Sequence, residues 1–152
     1  MSSSARTSRT DARRHSFSII FQLPFHQDEK NQEETLAWLK TLYYEYLEVA
    51  PIGRDDEYID RVIWGAFEKQ AQLDGVIENF LKDWALDRIN RVDLALLRLA
   101  IYEMLSEPDV PLGVAVNEAV ELAKIYGTDD SPAFINGVLG NVSRHIKETG
   151  RG

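Results

Sequence analysis

Arginines and aromatic residues are the best-placed groups for chemistry, and they occur at two points in the chain. Near the N-terminus, Arg9 and Arg13 stand four residues apart, Arg14 is adjacent, and Phe17 and Phe21 follow on the same stretch. Residues at i and i+4 share a helix face. Guanidinium groups bind phosphates and stack on bases, and aromatic rings stack on unpaired bases. Core aromatics beside solvated arginines are the plainer alternative. At the second point, Tyr126 and Phe134 flank a polar turn containing Asp129, Asp130 and Ser131. The helix expected to start there would aim unpaired N–H groups outward, an arrangement that holds phosphate. Gly137 and Gly140 within that helix each cost roughly 1 kcal/mol relative to alanine, which close packing of another helix or a ligand would offset.

Other constellations are weaker. The chain has no G-x-G-x-x-G, no P-loop and no H-E-x-x-H. A di-iron bundle needs Glu-x-x-His pairs, and none of His15, His26 or His145 has a glutamate three residues before it. Glu118 and Glu121, three apart, read as a solvated face. Asp129 and Asp130 suit a helix N-terminus through the dipole. Arg98 and Glu103 read as a buried or half-buried structural pair rather than as catalysts. No acid–base–nucleophile set is organised here, so the expectation is a non-enzyme with no cofactor and no metal.

These residues sit in a chain of 152, the size of one domain. At 44% hydrophobic and 28% charged it is globular in composition. With no cysteine there are no disulfides, thiolate zinc sites, iron–sulfur clusters or cysteine nucleophiles. No apolar run approaches the ~18 residues needed to cross a membrane, and the start has no apolar signal core. The expected location is the cytoplasm. The net charge is −8, but residues 1–15 hold four arginines against Asp11 alone, so the rest carries −11. Most of the surface should repel nucleic acid, leaving a local basic patch to attract it.

The positioning elements are helices. Residues 1–8 read as a disordered basic tail, residues 9–148 as a single all-α domain, and residues 149–152 as a flexible C-terminal tail. A first helix is expected from Thr10 or Asp11 to Leu23, with Phe17, Ile20 and Phe21 on its apolar face, and Pro24 ends it. A second fits residues 33–49, closed by Ala50-Pro51-Ile52-Gly53. A third starts near Asp55 or Asp56 with a stripe through Tyr58, Ile59, Val62, Ile63, Ala66 and Phe67, and the pattern runs on to Trp84 as one helix or two. The segment Val92–Leu105 is apolar nearly all round and belongs in the middle of a bundle. A helix over Leu112–Tyr126 is expected to end at Gly127 as its C′ residue. Ser131 is expected to cap the last helix, with Pro132 in its first turn. The fold class is all-α, a compact bundle of about seven helices.

From Val110, the run VPLGVAVNEAVELAKIYGTDDSPAFINGVLGNV resembles the C-terminal signature of the NusB transcription antitermination family, close to V-P-x-x-V-A-I-N-E-A-V-E-L-A-K-x-[FY]-G followed by F-[VI]-N-G-V-L. Trp84 and RVDLALLRLAIYEML, Arg91 to Leu105, are similar to the preceding family segment. ARRHSFSIIFQ, Ala12 to Gln22, resembles the family's first helix more loosely. The resemblance implies an all-α module that binds boxA-type single-stranded RNA of ribosomal RNA leaders together with NusE, a small-subunit ribosomal protein, within an RNA polymerase antitermination complex. It implies RNA contacts at Arg9, Arg13, Tyr126, Asp130, Ser131 and Phe134, with Arg14 adding charge, and NusE contacts at Asp93 and Phe21.

The chain departs from the family pattern at Thr10, Ser18, Ala133 and Gly140, where a second arginine, a glutamine, a lysine and an aspartate are common. For single strands each lost phosphate contact makes the salt slope shallower by about 0.7. Arg13→Glu is expected to weaken RNA binding with helix content unchanged. A methyltransferase-associated domain would need a following domain with a catalytic cysteine. A protein-binding scaffold or homodimer is the other alternative.

Overall fold

The computed structural model describes residues 2–26, 31–46, 53–81 and 85–151. These are mostly helical, with no strand among the described residues. The elements are α1 (Ser2–Gln22), α2 (Gln32–Tyr46), α3 (Gly53–Glu68), α4 (Gln70–Asn79), α5 (Arg91–Ser106), α6 (Leu112–Tyr126) and α7 (Ser131–Thr149), with short 3-10 turns at Leu23–His26 and Leu86–Arg88. The chain forms two compact units, Met1–Phe67 and Glu68–Gly152.

In the first unit, α1 begins at Ser2, eight residues before the expected start, and ends at Gln22. The stop agrees with Pro24, which disfavours helical geometry at Leu23, and the chain tightens there into the 3-10 turn. The buried face of α1 carries Ala12, Ser16, Phe17, Ile19 and Ile20. Phe21, expected on that face, is half-buried. Asn31 starts α2 by accepting backbone N–H bonds from Glu33 at 2.9 Å and Glu34 at 3.2 Å, the pairing that satisfies orphan donors in a first turn. The expected end of this helix and the breaker Ala50-Pro51-Ile52 lie outside the described residues. In α3 the buried stripe is Tyr58, Ile59, Val62, Ile63 and Ala66, a helical period. Lys40 of α2 meets Asp60 of α3 at 2.5 Å, and Trp64 Nε1 donates to the same carboxylate oxygen at 3.2 Å.

The long apolar pattern after Asp56 is two helices. Lys69, with φ −100° and ψ 13°, interrupts it between α3 and α4. Neither glycine nor proline marks that break.

In the second unit, α5 packs against α4, α6 and α7. It buries residues on all sides, Ala95 through Met104 without interruption, as its composition required. Asn90 caps it reciprocally. Its Oδ1 accepts from Asp93 N at 2.8 Å, and its Nδ2 donates to Asp93 Oδ2 at 3.0 Å. Arg98 does not pair with Glu103. Its Nε and Nη2 donate to the two oxygens of Asp74 on α4 at 2.8 and 2.9 Å. Trp84 lies outside the described residues. Arg151, in the stretch expected to be a flexible tail, donates to the carbonyls of Glu107 and Val110 at 2.8 and 2.5 Å.

Candidate nucleic-acid interface

The expected site residues fall on both units. On the first unit, α1 carries the arginines. The Arg9 guanidinium lies 4.3 Å from the ring centroid of Tyr58 on α3, and that of Arg13 lies 6.0 Å from it. Arg61, one turn beyond Tyr58, also stands 6.0 Å from the same centroid. A cation over an aromatic face within about 6 Å is attracted by the ring quadrupole. The two expected arginines are therefore brought together, on a fully buried tyrosine. Sequence reading assigned Tyr58 to an apolar stripe and passed over Arg61. The available signal was the i, i+3 spacing of a tyrosine and an arginine on an amphipathic helix.

Exposure separates the three expected arginines. Arg14 is exposed and pairs with Asp11 at 3.3 Å. Arg9 is half-buried, and its Nε is buried without a hydrogen bond. Arg13 is only 5% exposed. It supports the patch from within, and Arg13→Glu would place a carboxylate in the interior. Between Arg13 and Arg14 and the aromatics, His15 has its pKa lowered below the usual 6.5, by burial first and then by the Arg14 charge, with Asp11 opposing. The aromatic run continues outward. Phe21 stacks on Phe17 at 5.9 Å and meets Phe25 edge-on at 5.2 Å. Phe25 is 55% exposed, and Trp38, 51% exposed, meets His26 at 5.7 Å. Leu42, one turn beyond Trp38 on α2, is also exposed.

On the second unit, the turn between α6 and α7 carries the remaining expected RNA-contact residues. Tyr126 and Asp130 are exposed and Phe134 is half-buried. Ser131 is buried and does not cap α7. Its hydroxyl accepts from Thr128 N at 2.9 Å and sits 3.2 Å from the Thr128 hydroxyl, while Ser131 N donates to Thr128 O at 3.1 Å. These bonds close the turn, so Ser131 shapes the surface from beneath. Gly127 also departs from expectation. Its φ of −92° is not left-handed; it is glycine because a Cβ would lie 2.5 Å from Ser131 Cβ and Oγ and 2.9 Å from Ala123 O. The close packing expected at Gly137 is absent among the described residues, since a Cβ there would meet nothing within 4 Å. Gly140 would meet only the Arg144 guanidinium at 3.9 Å.

Asp93 lies in the first turn of α5 and is 5% exposed. One oxygen serves the Asn90 cap; the other, Oδ1, is buried without a hydrogen bond. The side chain expected at a partner surface is thus buried at the start of α5. Glu121 is exposed and pairs with Lys124 at 3.0 Å, a solvated face as read. Among the described residues no group of three or more His, Asp or Glu is placed to hold a metal ion, and no helix is long and apolar enough to cross a membrane.

Fold and surfaces together define a small all-α protein with an arginine–tyrosine patch on one unit and an aromatic-flanked turn on the other. Sequence comparison is decisive about kinship: the profile of the NusB family matches residues 10–144, and the chain belongs to that family. It is 44% identical over 135 residues to the transcription antitermination protein NusB of Acetivibrio thermocellus, covering 88% of this chain and 87% of the relative. It is 40% identical over 142 residues to the NusB protein of Carboxydothermus hydrogenoformans, covering 92% and 95%. Among solved structures, T. maritima NusB superposes with a TM-score of 0.77 at 34% identity, covering 90% of each chain. A chain from a crystal of the antitermination factors NusB and NusE with double-stranded RNA gives a TM-score of 0.78 at 23% identity, covering 91% of this chain and 98% of that one, which bears on the fold.

Proposed function

We propose that the chain is a transcription antitermination factor of the cytoplasm. It binds boxA-type single-stranded RNA of ribosomal RNA leaders with NusE and promotes read-through by RNA polymerase. Membership of the NusB family makes it a transcription protein rather than an enzyme. The observation that carries RNA as the ligand is the basic patch of α1, with Arg9 held over Tyr58 in a chain whose remaining surface is acidic. A local cationic site on an acidic protein selects a polyanion by geometry rather than by overall charge. Arg9 and Arg14 meet phosphates, and Arg13 strengthens the field from inside. Tyr126 and Phe134 offer faces for unpaired bases, Asp130 accepts hydrogen bonds from base amino groups, and Ser131 holds the turn. Phe21 backs the surface offered to NusE, and Asp93 holds the first turn of α5.

Fluorescence anisotropy over a salt series tests this, with labelled boxA-type RNA, its scrambled counterpart and the same sequence as a duplex, each with and without NusE. Tighter binding to the single-stranded boxA form, enhanced by NusE and weakened by salt, is expected. Equal affinity for all three RNAs would overturn the boxA assignment.

A second reading rests on the exposed apolar residues Phe25, Trp38 and Leu42. Here the protein is a scaffold or homodimer without RNA specificity. Light scattering distinguishes it: a dimer dissociated by Trp38→Glu, with no RNA preference, favours this reading.

A further inference from the structure

We infer that Arg61 is a third phosphate-binding residue of the RNA site, extending the α1 patch onto α3. The inference rests on the RNA-binding reading above.

Arg61 lies three residues after Tyr58, so the two side chains share a face of α3. Tyr58 is fully buried, and its ring is approached by guanidiniums from two helices: Arg9 at 4.3 Å and Arg13 at 6.0 Å from α1, and Arg61 at 6.0 Å from its own helix. The three differ in accessibility. Arg13 is interior, Arg9 is half-buried and Arg61 is exposed. Arg61 is therefore the most accessible of the three cations gathered at this ring. Two guanidiniums near one ring offer a single strand two phosphate contacts, because each guanidinium presents donors in a fixed fork. Phosphate contacts carry no sequence information. Arg61 thus contributes to affinity for any strand at this patch, while base selection lies elsewhere.

The test compares the full chain with Arg61→Gln, Arg61→Lys and, as a control, Arg144→Gln, an exposed arginine of α7. Anisotropy is read over a salt series with NusE present, using boxA-type RNA and its scrambled counterpart, and each variant's thermal melt is recorded. Arg61→Gln is expected to weaken both RNAs several-fold by the same factor and to make the salt slope shallower by about 0.7, the value of one single-strand phosphate contact. Arg61→Lys, which keeps the charge, is expected to retain the slope, and Arg144→Gln to change nothing. An unaltered slope in Arg61→Gln while the wild type binds would overturn this inference and leave the RNA reading standing. Loss confined to boxA RNA would overturn it in favour of base recognition. A wild type that binds neither RNA would overturn both. If Arg61→Gln melts early, the lysine variant decides: a wild-type slope supports a phosphate contact, and a lost slope refutes it.

Discussion

Gly127 and Ser131 occupy one another's space: a Cβ on Gly127 would lie 2.5 Å from both Cβ and Oγ of Ser131. The glycine ends α6 and the serine starts α7, and the serine hydroxyl takes the N–H of Thr128 between them. Gly127→Ala is expected to destabilise the protein by about 1–3 kcal/mol, the usual cost of forcing an extra carbon into a packed site. It should also weaken RNA binding by displacing Tyr126 and Asp130. Urea unfolding and anisotropy on the same preparation check this; an unchanged midpoint would mean the turn relaxes freely.

Gly137 is the opposite case. No described atom approaches its Cβ position within 4 Å, so Gly137→Ala should stabilise α7 by about 1 kcal/mol through helix propensity alone. A rise in melting temperature with unchanged RNA affinity is expected. A rise in melting temperature with lost affinity would show that a ligand approaches the backbone there.

Arg13 and Arg14 are neighbours in sequence with different fates. Arg13→Glu buries a carboxylate at a 5% exposed position and should cost about 3–5 kcal/mol, the range for an uncompensated interior charge. Arg14→Gln removes only an exposed pair with Asp11 and should change stability by less than about 1 kcal/mol, while making the RNA salt slope shallower by about 0.7. Thermal melts paired with salt titrations separate the two effects.

The fork between Arg98 and Asp74 joins α5 to α4 with side chains 10% and 19% exposed. Asp74→Ala leaves Arg98 without this partner and is expected to cost about 3 kcal/mol or more. Replacing both, as Arg98→Met with Asp74→Leu, should recover much of that loss. A double variant no better than Asp74→Ala would mean that the pair specifies the packing of these helices rather than merely tolerating burial.

His15 has a folded-state pKa below 6.5, chiefly through burial. Well above pH 6.5 it is uncharged in both states. As pH falls through 6.5 the unfolded chain takes up the proton first, so folded stability declines until pH passes below the folded-state value. His15→Gln should flatten the stability profile on the acid side of pH 6.5. Denaturation midpoints across that window test it, and identical profiles for variant and wild type would remove His15 from the pH dependence.

Much of the helical order was legible in the chain itself. The break at Pro24, the span of α6 from Leu112 to Tyr126 and the interior character of α5 follow from local rules: proline restricts its predecessor, apolar residues recur at 3.6, and an all-round apolar helix must be enclosed. The interruption at Lys69 was not legible, because no glycine or proline marks it. Kinship was legible too, carried by the run from Val110 and matched over residues 10–144.

What the sequence by itself determined is therefore most of the helices, several of their boundaries, the family and the two stretches that carry the candidate site residues. Only the tertiary structure decided which partner each polar group takes. It sent Arg98 to Asp74 rather than Glu103, turned Ser131 back onto Thr128, drew Asp93 inside and sorted the arginines into an interior Arg13, a half-buried Arg9 and an exposed Arg14 and Arg61. The physical reason is one of range. Helix propensity and capping act over three or four residues and are written in spacing. Burial and ion pairing join residues such as Arg9 and Tyr58, which meet only once separate helices have packed.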